Sequence, residues 1–130
     1  MTKLRIFAGF AAFSALASLP LTAVSAQSVW APGGEINGQS IQVETDGITN
    51  MVYFDQSGMA RIITPKGHTV LAKWTAANEQ LCLTTESAQE CWPYLKPFAA
   101  GKLVTLTSSC NATSRWLPTA INPETRGERG

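Results

Sequence analysis

Turn-forming residues recur along this chain at short intervals. Between them the residues are β-branched, aromatic, or alternately polar and apolar. That rhythm constrains the fold more than any single motif, because it leaves room for short strands and tight hairpins and little else. Ser40–Thr45 alternates cleanly, which predicts a half-buried strand with Ile41 and Val43 facing inward. Asp46-Gly47 turns the chain, and residues 50–54 are the next strand. Asp55-Gln56-Ser57-Gly58 is a hairpin loop, with Gly58 where a positive φ is needed. Residues 59–64 return, Pro65-Lys66-Gly67 turns again, and residues 68–75 form a strand that ends in a loop over 76–79. Residues 81–84 and 90–95 form a further hairpin. A loop over 97–101 leads to a strand over 102–107, and a short last strand includes 115–117. No stretch after the first 26 residues carries a 3.6-residue apolar period. The expected fold is all-β: an antiparallel meander of about eight short strands, forming a small closed barrel or a strongly curved sheet. Closure would also remove exposed strand edges.

Cys82 and Cys91 stand nine positions apart, either side of Glu86-Ser87. A zinc or redox pair usually comes as Cys-x-x-Cys with further Cys or His ligands, whereas this spacing is wider and His68 is the only histidine. A hairpin centred between Glu86 and Ser87 sets Cys82 opposite Cys91. At a non-hydrogen-bonded site the Cα atoms would be about 4.5 Å apart, within the reach of a disulfide. Closing a loop of about ten residues stabilises the fold by roughly 2.5–3 kcal/mol in the chain-entropy treatment. The same register puts Leu81, Leu83, Trp92 and Tyr94 on one face, which suits a core, and the disulfide on the other. Cys110 remains a free thiol. It is read as buried or quiescent; the alternatives are an intermolecular bridge, giving a Cys110-linked dimer in place of a monomer, and a pairing of Cys110 with Cys82 or Cys91 instead.

The N-terminus has the three-part plan of a secretory signal peptide. Lys3 and Arg5 form a positive head, residues 6–23 are apolar or small, and Val24-Ser25-Ala26 is a cleavage-like end. The competing reading is a membrane anchor, since the apolar run is near the minimum spanning length. With no cysteine beside the cleavage position, a lipid-modified N-terminal cysteine is excluded. Residues 1–26 are thus a signal peptide, 27–117 a single β domain and 118–130 a flexible polar tail. The predicted compartment is the bacterial periplasm or the exterior, where a disulfide persists, with no stable membrane insertion after cleavage. Removing Lys3 and Arg5 from ten basic residues leaves eight against nine acidic ones, a net charge of −1. With those charges scattered, no field draws in nucleic acid.

In order, "YFDQSGMARI", "KWTAANEQLCL", "ECW" and "GKLVTL" resemble small, mostly uncharacterised exported β-rich proteins of proteobacteria, over roughly residues 51–106. Lys73 stands where such proteins often carry a glycine. The resemblance implies a compact periplasmic β domain and no activity. "VYFDQSGMARIITPKG" also resembles C-type lysozyme inhibitors, although their Ser-Gly-x-x-Tyr signature is absent.

Catalysis needs a nucleophile, a base and an orienting group. His68 follows a turn, Ser57 sits in a hairpin loop without a Gly-x-Ser-x-Gly context, and Asp55 precedes a turn glycine where local hydrogen bonding is its ordinary role. No enzyme is expected, nor any metal or other cofactor. Four tryptophans are many for this length. Trp74 and Trp92 are assigned to core packing, Trp30 and Trp116 to accessible ends. The candidate binding residues are Trp30, Asp55, Ser57, Lys66, His68 and Trp116. The expected role is non-enzymatic binding of a protein partner, in an inhibitor-like or accessory manner. The alternative is lipocalin-like carriage of a small apolar ligand, with a small hydrolase behind both. The barrel interior separates the first two: an open apolar cavity favours carriage and a filled one favours inhibition.

Overall fold

The computed structural model describes residues 30–123. The signal-peptide assignment at 1–26 and the last part of the tail, 124–130, lie outside them. Eight strands follow one another: β1 (Ser40–Thr45), β2 (Ile48–Phe54), β3 (Met59–Ile63), β4 (Thr69–Ala77), β5 (Gln80–Thr84), β6 (Gln89–Pro93), β7 (Val104–Thr107) and β8 (Thr113–Pro118). Every pairing is antiparallel, in the order β6-β5-β4-β3-β2-β1-β8-β7. Read as a circle, this order is the chain order with one seam, between β6 and β7. The fold is therefore an up-and-down meander rolled into a nearly closed barrel, as the turn rhythm predicts. No helix occurs among the described residues.

The local chemistry explains the hairpins. Asp46 and Gly47 both take positive φ (53° and 81°), as do Asn78 and Glu79 (55° and 63°). Two consecutive left-handed residues make the two-residue turn whose twist matches that of paired strands. The second pair lengthens β4 beyond expectation: residues 76 and 77 remain in the strand, and the loop shrinks to Asn78-Glu79. β7 in turn begins at Val104, two residues late.

Cys82 pairs with Cys91 in register, and the two are joined by a disulfide with Cα atoms 4.0 Å apart. The faces sort as expected. Ile41, Val43, Leu81, Leu83, Trp92 and Tyr94 are all buried, while the cystine lies on the outer, half-buried side. The seam is bridged without a strand ladder. Ser109 N donates to Cys91 O (2.8 Å), Cys91 N donates to Ser109 Oγ (3.1 Å), and Ser108 Oγ donates to Glu90 Oε2 (2.5 Å).

The two ends of the barrel differ. At the end that carries the β2–β3 and β4–β5 turns, residues 30–39 fold under the strands as a stopper with Ile36 fully buried. The Glu35 carboxylate anchors this stopper. Its Oε1 accepts Trp30 Nε1–H (3.0 Å), and its Oε2 accepts the Tyr94 hydroxyl (2.6 Å) and Phe98 N–H (2.9 Å). Tyr94 Oη in turn accepts Gly33 N–H (2.9 Å). Burial, then the hydrogen bond and negative charge of Glu35, push the Tyr94 phenol well above its ordinary pKa.

Residues 118–123, expected to fray, are instead part of the domain. Pro118 is fully buried. Asn122 Nδ2 donates to Gly34 O (2.9 Å) and Asn37 O (2.7 Å), and its Oδ1 accepts Gln39 Nε2–H (2.7 Å). A polar segment holds here because its side chain satisfies carbonyls that the stopper would otherwise leave unpaired.

Candidate functional site

The opposite end carries the β1–β2, β3–β4, β5–β6 and β7–β8 connections, and there the interior is hollow. A cavity of about 330 Å³ occupies it, near the lower limit of small-ligand sites. Val43, Val52, Ile62 and Leu83 form apolar walls, with Trp92 and Trp116 beside them. Asn50, Glu90 and Ser114 add polar groups to the lining. These residues converge because inward positions recur every second residue, on β1, β2, β3, β5, β6 and β8. Toward the mouth, Ile48 (57 % exposed) and Val70 (41 %) have inward parity yet reach solvent. Ala88, in the β5–β6 turn, both lines the cavity and is exposed, so the cup opens at its rim.

The floor is aromatic. Tyr94 and Phe98 stack with centroids 5.5 Å apart, Phe98 and Trp116 stack at 5.6 Å, and Trp116 meets Trp92 edge to face at 5.0 Å and 71°. This column runs from the stopper to the cup and separates a packed end from a hollow one. Among the described residues, four buried side-chain polar atoms have no hydrogen-bond partner: Asn37 Oδ1, Asn50 Oδ1, Trp92 Nε1 and Trp116 Nε1. Three of the four belong to residues of the cup.

The structure distributes the residues singled out in the sequence over both ends. Trp116 was expected to be accessible and is fully buried. Its neighbour Arg115 takes the outer side and meets Glu44 at 3.5 Å, and strand alternation then turns Trp116 into the barrel. Trp30 is half-buried at the stopper, its ring edge-on to Tyr94 at 4.9 Å and its N–H committed to Glu35. Asp55 closes its own turn: Oδ1 accepts Ser57 N–H (2.9 Å), and hydrogen bonds from Ser57, backbone first, hold the carboxyl below its usual range. The Asp55 carbonyl also accepts Trp74 Nε1–H (2.9 Å), and the Trp74 ring packs half-buried against the core.

Lys66 and His68 lie exposed in the β3–β4 loop, on the cup's side of the barrel. Cys110 is a free thiol, but it is exposed rather than buried, since it sits in the β7–β8 loop beyond the last inward position. Trp92, assigned to the core, is 5 % exposed and also lines the cup. Sequence reasoning missed Asn50, Glu90 and Ser114. Strand parity could have placed them inward, but nothing local marks the barrel as hollow at their level.

Comparison with protein-family models, with curated proteins and with solved structures finds no match for this chain.

Proposed function

We propose that this chain is an exported, non-enzymatic binding protein whose barrel carries a compact, largely apolar small molecule in the cup at its open end. The observation that carries this reading is the 330 Å³ cavity, walled by aliphatic and indole side chains and open at the rim. The aromatic column and the Glu35-anchored stopper support it, since they close one end and leave a single mouth among the described residues. A preformed cup loses little conformational freedom on binding. The reading as a binder of a protein partner has less support. Of the surface elements it relies on, Trp30 is tied to Glu35, Asp55 and Ser57 are occupied with their own turn, and Trp116 is inside the barrel. Export is supported by the disulfide together with the N-terminal sequence pattern.

The test is a titration with the uncharged fluorescent probe N-phenyl-1-naphthylamine. Saturable 1:1 enhancement is expected in the native protein, with loss in Ile62→Trp, whose larger side chain grows into the cup. Binding that persists unchanged in Ile62→Trp, while circular dichroism shows an intact fold, would place the probe elsewhere and refute the reading. Intact mass of the protein recovered from a bacterial periplasm tests export: a chain beginning at Gln27 is expected, and an unprocessed chain opposes it.

A further inference from the structure

Charge is unevenly placed on the barrel. From Gln56 to Asn78 the chain carries Arg61, Lys66, His68 and Lys73 and no acidic residue. The other described residues carry seven acidic side chains against Lys96, Lys102 and Arg115. The cationic stretch is one element, the β3–β4 hairpin. Arg61 and Lys73 alternate with the inward-facing Ala60, Ile62, Ala72 and Trp74, so both stand on the outer face. Lys66 and His68 lie exposed at the tip, on the side of the cup's mouth. Among the described residues the one ion pair joins Arg115 to Glu44, so Arg61, Lys66 and Lys73 have no carboxylate at salt-bridge distance. Arg61 lies over the Tyr53 ring instead, at 4.9 Å. Its cross-strand neighbours on this face are Tyr53 and Leu71, and Ile63 faces Met51 in the next row. Leu71 is 61 % exposed and Ile63 37 %. The outer face of β2, β3 and β4 thus mixes cations with aliphatic side chains and holds no carboxylate. Asp46, Asp55, Glu79 and Glu86 stand in the connections at either end.

We propose that this hairpin docks the barrel, without insertion, on an anionic lipid bilayer. Docking of this kind goes beyond carriage and does not depend on it. Arginine and lysine stems lie along apolar surface while their heads reach phosphate, and aliphatic side chains set among them suit the headgroup boundary. Three unpaired cations gathered on one element exert an attraction that the near-zero net charge conceals. Size separates a bilayer from a protein partner. Three strands about 5 Å apart, with five residues of about 3.3 Å each, give a face of roughly 250 Å². That is well under the roughly 800 Å² that each partner of a stable protein complex buries. A bilayer needs no matched outline and continues past the edges of the face, so Lys66 at the tip joins the contact. Position adds a second reason. Ile62 of the same hairpin lines the cup, and Val70 reaches solvent at its mouth. Docking through this element brings the mouth beside the layer in which an apolar occupant dissolves, a consequence that does rest on the carriage reading.

The test is co-sedimentation of the full mature chain with sucrose-loaded vesicles, of phosphatidylcholine alone or of phosphatidylcholine and phosphatidylglycerol in equal parts. Binding to the mixed vesicles is expected at about 50 mM salt, with release at about 500 mM and no binding to phosphatidylcholine alone. Lys66→Gln with Lys73→Gln should weaken binding about 25-fold, from a loss of about fivefold for each cation. Lys96→Gln with Lys102→Gln makes the same change in net charge away from the hairpin and should weaken binding less than about threefold. All four lysines are exposed, so both double variants keep the fold, which circular dichroism checks. Equal losses in the two variants would trace binding to net charge and overturn the hairpin assignment. Absence of binding to the mixed vesicles at about 50 mM salt overturns the docking itself. If the protein instead binds soluble poly-L-glutamate through Lys66 and Lys73 and does not sediment with the vesicles, an acidic protein replaces the bilayer as the partner. The cup is judged separately. Failure of the naphthylamine titration with vesicle binding intact sinks carriage and leaves docking standing, and the converse result leaves carriage standing alone.

Discussion

Replacing Tyr94 by Phe should destabilise the protein by about 3 kcal/mol and remove an alkaline dependence of its stability. The ring stays, and with it the stack on Phe98 and the edge contact with Trp30, so the change isolates the hydroxyl. That hydroxyl donates to the Glu35 carboxylate at 2.6 Å and accepts Gly33 N–H at 2.9 Å, both in a buried setting. A hydrogen bond to a charged group is worth about 1.5–3 kcal/mol, and a stranded buried N–H costs about 1–3 kcal/mol. The two overlap, since Glu35 keeps its bonds from Trp30 and Phe98, which gives the intermediate figure. A loss of about 3 kcal/mol is a large part of a small domain's stability. It should lower the urea midpoint by roughly 1–3 M, followed through tryptophan fluorescence with the disulfide intact.

The pH dependence follows from the raised phenol pKa. Below pH 10 the phenol is protonated folded and unfolded, and its full contribution is present. Above pH 10 the unfolded chain ionises while the folded protein holds its proton, so stability falls by about 1.4 kcal/mol per pH unit. Tyr94→Phe lacks this phenol and loses the slope that comes from it. The gap between the two proteins should therefore narrow by about 1.4 kcal/mol at pH 11. A loss below 1 kcal/mol at pH 7, or a gap that stays constant through pH 11, would refute the account of the stopper.

Gly33→Ala should cost far more than Gly67→Ala, although both have nearly the same φ (+88° and +89°): a Cβ at Gly33 meets Trp74 Cζ3 at 3.0 Å, and one at Gly67 meets nothing. Gly67→Ala is expected to cost about 1 kcal/mol from the left-handed backbone alone, and equal losses in the two urea melts would contradict the close packing. Asn122→Ala removes three side-chain bonds to the stopper and should expose residues 118–123 to limited proteolysis while the barrel core keeps its protection; unchanged cleavage kinetics would count against the clasp. Cys82→Ala with Cys91→Ala should lower stability by roughly 2.5–3 kcal/mol without changing the tryptophan fluorescence maximum of the folded protein, because the bond closes a short loop on the outer face; a red-shifted maximum would mean that the staple shapes the core as well.

How much could be read in advance depended on the range of the interaction concerned. Each strand's existence, the inward set Ile41–Val43 and the facing of Leu81, Leu83, Trp92 and Tyr94 follow from a period of two. The turns at Asp46-Gly47 and Asp55–Gly58 follow from residues that tolerate or require positive φ. The Cys82–Cys91 register follows from a hairpin whose midpoint the spacing defines. These are interactions over a few residues, so the chain encodes them where they occur. Trp116 was misjudged because its burial depends on β8 closing against β1, some seventy residues away, which no local pattern announces. The tail was misjudged because Asn122 looks like any polar residue until Gly34, Asn37 and Gln39 are folded within its reach. The cup is further still from local control. Its walls come from six strands, and its emptiness is the difference between the circumference of the barrel and the side chains available to fill it, with Phe54, Phe98 and Ile36 used at one end and smaller Ser114, Ala88 and Ala112 left at the other. Local chemistry is enough to specify a stapled antiparallel meander, because alternation, turn residues and cysteine spacing act over a few positions. Which end is stoppered and which is open is a property of the assembled barrel, because it depends on how side chains distant in the chain share one enclosed volume.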